Sequence, residues 1–195
     1  MTNQETDERL LEEAAQGKTA AFQILYERYR DPIFRFAYRM LGSVEAAEDV
    51  AHDCFLGLIK EPGRFDSTKA SLRTYLYAAA RNQAAKRYLN SNRESGIDEL
   101  VNEPRVAAHL EPIRQVLDNE LAGEVQRAIE SLPPLQREAL VLFEYEGLAL
   151  NEIAEVVGTD VGAVKSRLHR ARGRLRNSLA PYLNTNPEIV TLEQA

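Results

Sequence analysis

Apolar residues along this chain return at spacings of three and four, the period of one face of an α-helix, and nowhere alternate with polar ones over strand length. The first such stretch runs from about Asp7 to Gln16 and stops at Gly17. Thr19 can cap a second, with Phe22, Leu25, Tyr26 and Tyr29 on one face. Asp31 then Pro32 reads as the cap and first residue of a third helix, which carries Ile33, Phe36, Ala37, Met40 and Leu41 up to Gly42. Ser43 caps a fourth, bearing Ala47, Val50, Ala51, Phe55, Leu58 and Ile59 and broken at Pro62-Gly63. A polar loop, RFDSTKAS, precedes a fifth from about Leu72 to Leu89. These segments can share one core, which defines an N-terminal domain, residues 1–90.

Residues 91–111 are polar, acidic and weakly patterned, the mark of a linker. Pro112 suits the first turn of the next helix, whose apolar positions include Ile113, Val116, Val125, Ile129 and Leu132. Pro133-Pro134 ends it, and another helix runs from about Pro134 to Glu146, closed by Gly147. Two shorter helices follow, about Leu150 to Val157 and Val161 to Leu179, with a frayed tail expected from Pro181. The expectation is an all-α chain of two small helical domains, the second covering residues 112–195 and containing a helix-turn-helix.

Composition narrows the function. Cys54 is the one cysteine, so an internal disulfide and a cysteine-based zinc site are excluded, and it reads as a small buried apolar residue. His52, His109 and His169 are far apart, and no nucleophile elbow, phosphate-binding glycine loop or metal motif is present. No enzyme activity, cofactor or metal is therefore expected. No apolar run has bilayer length, and the acidic N-terminus lacks the order of a signal peptide, so a cytoplasmic chain without membrane insertion is expected.

The net charge of −6 argues, taken alone, against nucleic acid. Its distribution reverses that. Between Val161 and Asn177 stand Lys165, Arg167, Arg170, Arg172, Arg174 and Arg176, without an acid among them. Attraction to phosphate is local, because charges beyond about 10 Å are screened at moderate salt. In the same segment Val161, Val164, Leu168, Ala171 and Leu175 form one apolar stripe, leaving Lys165, Ser166, His169, Arg170 and Arg172 on other faces. Gly158 supplies the turn before it, and Asp160 a cap. This is the pattern of a helix-turn-helix, whose second helix enters the major groove and presents long donors to guanine acceptors. A solvated basic helix is the bland alternative, but its like charges repel one another unless a phosphate partner offsets them.

At Leu132 to Arg176, LPPLQREALVLFEYEGLALNEIAEVVGTDVGAVKSRLHRARGRLR, the chain resembles the promoter-binding C-terminal domain of extracytoplasmic-function (ECF) sigma factors of bacterial RNA polymerase. Phe22 to Leu58 and Arg64 to Leu89 resemble that family's N-terminal domain, in the family's order. The resemblance implies a sigma factor that binds core RNA polymerase and directs promoter-specific initiation at −10 and −35 elements. It implies docking on a coiled coil of the largest polymerase subunit through the positions of Asp49, His52, Asp53 and Phe55, where His52 and Asp53 replace the usual Gln and Glu. It implies −10 melting by Arg64, Phe65, Ser67, Lys69, Arg73, Arg81, Asn82 and Lys86, with a flipped base held near Asn82. Tyr75 reads more readily as a core residue. The −35 element falls to Lys165, Ser166, His169 and Arg170 for bases, with Arg167, Arg172 and Arg174 on phosphates. An anti-sigma factor is a further implied partner.

Departures from the family pattern are Tyr75 for Trp, Ala78 for Arg, Ala149 for a capping Ser or Thr, Ala163 for Thr, and Phe143 where some members place Arg. The linker spans about 25 Å when relaxed and about 70 Å when extended, so it bridges two promoter elements only when drawn out. In the free protein the two domains can instead pack together. A stand-alone helix-turn-helix regulator is the alternative reading, but a sensor domain has no use for the AEDVAHDCFLGL helix and the basic-aromatic segment after it.

Overall fold

The computed structural model describes residues 6–94 and 114–185. Of the expected linker, residues 91–94 are helical and residues 95–111 lie outside the described residues, as does the tail beyond Thr185. The elements are α1 (Asp7–Ala15), α2 (Thr19–Leu41), α3 (Val44–Lys60), a 3-10 turn (Pro62–Arg64), α4 (Leu72–Glu94), α5 (Arg114–Glu130), α6 (Pro134–Leu140), a π turn (Val141–Tyr145), α7 (Leu150–Val157) and α8 (Val161–Thr185). There is no strand among the described residues.

In the N-terminal half, α2, α3 and α4 pack side by side and α1 lies on α2. Leu25, Ile33, Phe36, Val50, Leu58, Leu72 and Leu76 fill the centre with almost no exposure. Each such side chain contributes about 1.5–3 kcal/mol on leaving water. Asp7 ties α1 down by accepting from Arg28 and from the Tyr29 hydroxyl. Thr6 and Ser43 cap α1 and α3 by accepting from the N–H groups of Arg9 and Ala46. α2 ends at Gly42 in the left-handed region, φ 71°.

Two boundaries differ from the sequence expectation. Pro32 does not start a helix; it sits inside α2, and the two expected segments are one. Proline removes a single N–H, whereas Leu25, Tyr29, Ile33 and Phe36 continue one buried stripe across it. Pro181 likewise falls inside α8, which continues past the expected Leu179 to Thr185. α4 also runs on, to Glu94 rather than Leu89.

In the C-terminal half, α8 packs on α5, α6 and α7. The expected helix from Pro134 to Glu146 loses α geometry at Val141, where Glu146 N–H donates to the Val141 carbonyl at 3.1 Å. The widened turn redirects the chain, and Leu148 N–H closes back on the Leu142 carbonyl at 3.0 Å. The two halves touch. α4 lies across α7, α2 meets α5, α6 and the π turn, and the buried apolar residues of both halves form one continuous cluster.

Candidate nucleic-acid interface

The helix-turn-helix is built from α7 and α8. Ile153, Ala154, Val156 and Val157 bury one side of α7. Ala149 opens the helix without a side-chain acceptor, but its N–H donates to Glu152 Oε2 at 2.7 Å, half of a capping box. Gly158 takes φ 65°, where a Cβ would be strained. Asp160 Oδ1 then accepts from Ala163 N–H at 2.9 Å and starts α8.

Val164, Leu168 and Ala171 are buried on α8, with Val161 and Leu175 packed against the cluster. Lys165, Ser166, His169, Arg170 and Arg174 are exposed, and no hydrogen bond or ion pair ties their side chains to another described residue. Two cations of the expected set are not free. Arg167 is half-buried, its Nη1 enclosed without a hydrogen-bond partner, on the side of Glu138. Arg172 lies over the Phe143 ring and holds Glu144 Oε1 through Nε and Nη2, at 3.0 and 2.6 Å. The π turn brings Phe143 and Glu144 to that place.

The expected −10 residues divide in the same way. Arg64 pairs with Glu61, and Lys69 with Asp66 at 2.9 Å, both on exposed loop. Asp66 also accepts from the Thr68 hydroxyl at 2.6 Å and from Thr68 N–H. The Thr68 bonds, with Lys69, hold its carboxyl down to about 2, so this loop keeps its anion. Phe65 is half-buried edge-on to Tyr75, ring centres 5.5 Å apart, so Tyr75 is partly a packing residue. Ser67, Asn82 and Lys86 are exposed. Arg73 and Arg81 are engaged across the junction. Arg73 donates to the Glu146 carbonyl, and Arg81 Nε donates to Glu138 Oε1 at 2.5 Å. Between them Tyr77 is buried against Phe36 and donates to Glu146 Oε2 at 2.7 Å. Burial and that bond push its phenol well above the usual range. Burial raises the Glu138 carboxyl too, against the opposing pull of Arg81 and Arg167.

On α3, Asp49 and His52 face solvent beside a groove of about 420 Å³ that Tyr26, Arg30 and Phe34 also line. Asp53 holds Arg87 Nη2 at 2.8 Å. Phe55, expected at a polymerase contact, is 3% exposed and packs edge-on to Tyr26 with ring centres 4.9 Å apart, so its ring belongs to the core. Cys54 is buried, which pushes its thiol up to about 12. No group of His, Cys, Asp or Glu among the described residues could hold a metal ion. No helix among them is long and apolar enough to cross a membrane.

Sequence reading missed Glu138 and Glu146. The available signal was Glu138 at four residues before the buried Leu142, an acid on an apolar stripe.

Comparison with known proteins agrees with this architecture. The family model described as sigma-70 region 2 matches residues 25–94, and that described as sigma-70, region 4 matches residues 122–175. RNA polymerase sigma-H factor of Pseudomonas aeruginosa is 31% identical over 191 residues, covering 94% of this chain and 98% of that one. ECF RNA polymerase sigma factor SigW of Bacillus subtilis is 32% identical over 178 residues, covering 87% and 94%. Among solved structures, CnrH in complex with the cytosolic domain of CnrY is 25% identical, with a TM-score of 0.68 and coverage of 91% and 99%. The sigma factor RpoE of Bartonella quintana, in complex with the anti-sigma factor NepR, shares the fold with a TM-score of 0.64 at 22% identity, over 82% of this chain and 96% of that one. Two helical domains in this order, a capped helix-turn-helix with an acid-free outer face, and full-length relatives identify the chain as a member of the ECF sigma factors, which direct RNA polymerase to particular promoters.

Proposed function

We propose that α8 reads the −35 element through Lys165, Ser166, His169 and Arg170, with Arg174 on a phosphate. The observation that carries this is the exposed, acid-free row on α8 without intramolecular partners among the described residues. Long donors of this kind can bridge the guanine acceptors of the major groove. Arg172 reaches a phosphate only by leaving Glu144, an exchange that costs little because both partners are half exposed. Arg167 supports the packing of α8 on α6 instead.

Ser67, Asn82 and Lys86 form the open part of a −10 surface, with Arg64, Phe65 and Lys69 on the loop before it and Arg73 and Arg81 along α4. Asp49 and His52, with Asp53 set by Arg87, dock on the coiled coil of the largest polymerase subunit. Phe55 shapes that face from beneath. The chain works in the cytoplasm by binding and performs no chemistry of its own. An anti-sigma factor is its regulator, as NepR is the recorded partner of the Bartonella protein.

In vitro transcription with core polymerase on a library of promoter sequences tests the reading. Arg170→Ala should cost about 1–3 kcal/mol and relax choice at one base pair. Equal weakening on all sequences would reduce Arg170 to a phosphate contact. Failure to associate with core polymerase, or unchanged start selection after neutralising Lys165, His169 and Arg170 together, would refute it.

A further inference from the structure

Arg87 follows Lys86 on α4, but its guanidinium lies against α3. Nη2 donates to Asp53 Oδ2 at 2.8 Å and stands 3.8 Å from Asp49 Oδ2, while Nη1 donates to Gln83 Oε1 at 3.5 Å. The Arg87 side chain is 26% exposed, against 65% for Asp49 and 40% for Asp53. The two aspartates stand four residues apart on α3, the spacing at which like charges on a helix repel. Left alone, their carboxylates would swing away from each other into solvent. One nitrogen set between them draws both to a single place. It uses Oδ2 of each, so Oδ1 of each stays without a partner among the described residues.

We propose that Arg87 is a positioning residue for polymerase binding: acting through Asp49 and Asp53, it sets both carboxylates in the geometry that donors on the polymerase coiled coil meet. The inference deepens the docking reading of α3 given above and rests on it. Ordering a rotamer-rich side chain at the moment of binding weakens affinity, and Arg87 has both acids ordered beforehand. The sign of its removal separates this role from bulk charge. Losing a cation makes the α3 face more acidic, which strengthens the pull on cationic donors. Losing a positioning contact weakens binding instead. Lysine is only a partial substitute, because a point-like ammonium lacks the planar fork that holds Gln83 with one nitrogen and the acids with another.

The test uses the full chain, labelled with fluorescein at its N-terminus and titrated with core RNA polymerase while anisotropy is followed. Arg87→Gln should weaken binding by about tenfold, and Arg87→Lys by less. In the Asp49→Asn/Asp53→Asn background, Arg87→Gln should add little, since the groups it sets are gone. The urea midpoint of Arg87→Gln should hardly move, because a partly exposed ion pair contributes little to stability. Unchanged or tighter polymerase binding by Arg87→Gln overturns the positioning role. So does an equal loss with and without the two aspartates, which would mark a general structural effect. If Asp49→Asn/Asp53→Asn itself leaves polymerase affinity intact, the docking reading of α3 fails instead.

Discussion

Ala149→Ser should stabilise the protein, and the structure sets the size of the gain. Ala149 already has the extended backbone of a helix cap, φ −68° and ψ 156°, and its side chain is exposed. Its N–H is bonded to Glu152 Oε2, but alanine has no oxygen to accept from the first-turn N–H groups of α7. Serine adds that acceptor and completes the reciprocal box without altering burial, so no packing cost opposes it. The expected gain is about 1 kcal/mol. With a urea dependence near 2 kcal/mol per molar, the unfolding midpoint should rise by about 0.5 M. A urea titration followed by far-ultraviolet circular dichroism measures it. Ala149→Thr should behave like serine, and Ala149→Val, the same shape without the oxygen, should not stabilise. A midpoint that stays put with serine, or rises equally with valine, would show that the missing cap is not what limits α7.

Cys54 provides a second test. Its thiol is pushed up to about 12 by burial first and the Asp53 charge next, while Arg87 opposes. The folded protein should resist alkylation at mildly alkaline pH and react promptly in denaturant; reaction at the same rate in both would contradict the burial. The sign for stability follows. The folded state keeps the proton longer than the unfolded one, so this group's contribution falls as pH rises above about 9, read as a falling urea midpoint. Phe55→Ala should cost about 3–5 kcal/mol as a core truncation, whereas Phe55→Leu should leave polymerase affinity nearly intact. A selective loss of polymerase binding in Phe55→Leu would return the ring to the interface.

Much of this molecule was legible in one dimension because burying a helix face forces a spacing of three and four. The stripe Val164, Leu168, Ala171 on α8 and the turn at Gly158 follow from local rules that tertiary packing obeys. The order of the two domains and the acid-free row on α8 were visible for the same reason: each is a property of neighbouring residues. Local rules failed where packing outweighed them. Pro32 reads as a boundary, but its missing N–H counts for less than the stripe that continues through Ile33 and Phe36. Phe55 lies one residue from Cys54 and two from Asp53, and only the rings of Phe22 and Tyr26 decide that it turns inward.

The charges divide along the same line. Sequence by itself determined which cations exist and which helix face carries them. It did not determine which are free, because an arginine is occupied by whatever acid the fold brings to it. The partners Arg81 and Glu138 stand 57 residues apart, and Arg73 and Glu146 stand 73 apart. No local pattern encodes such pairings. They arise when α4 lies across α7 and the π turn swings Glu146 toward it, so the exposed, tethered and masked members of the basic set were decided by tertiary structure alone.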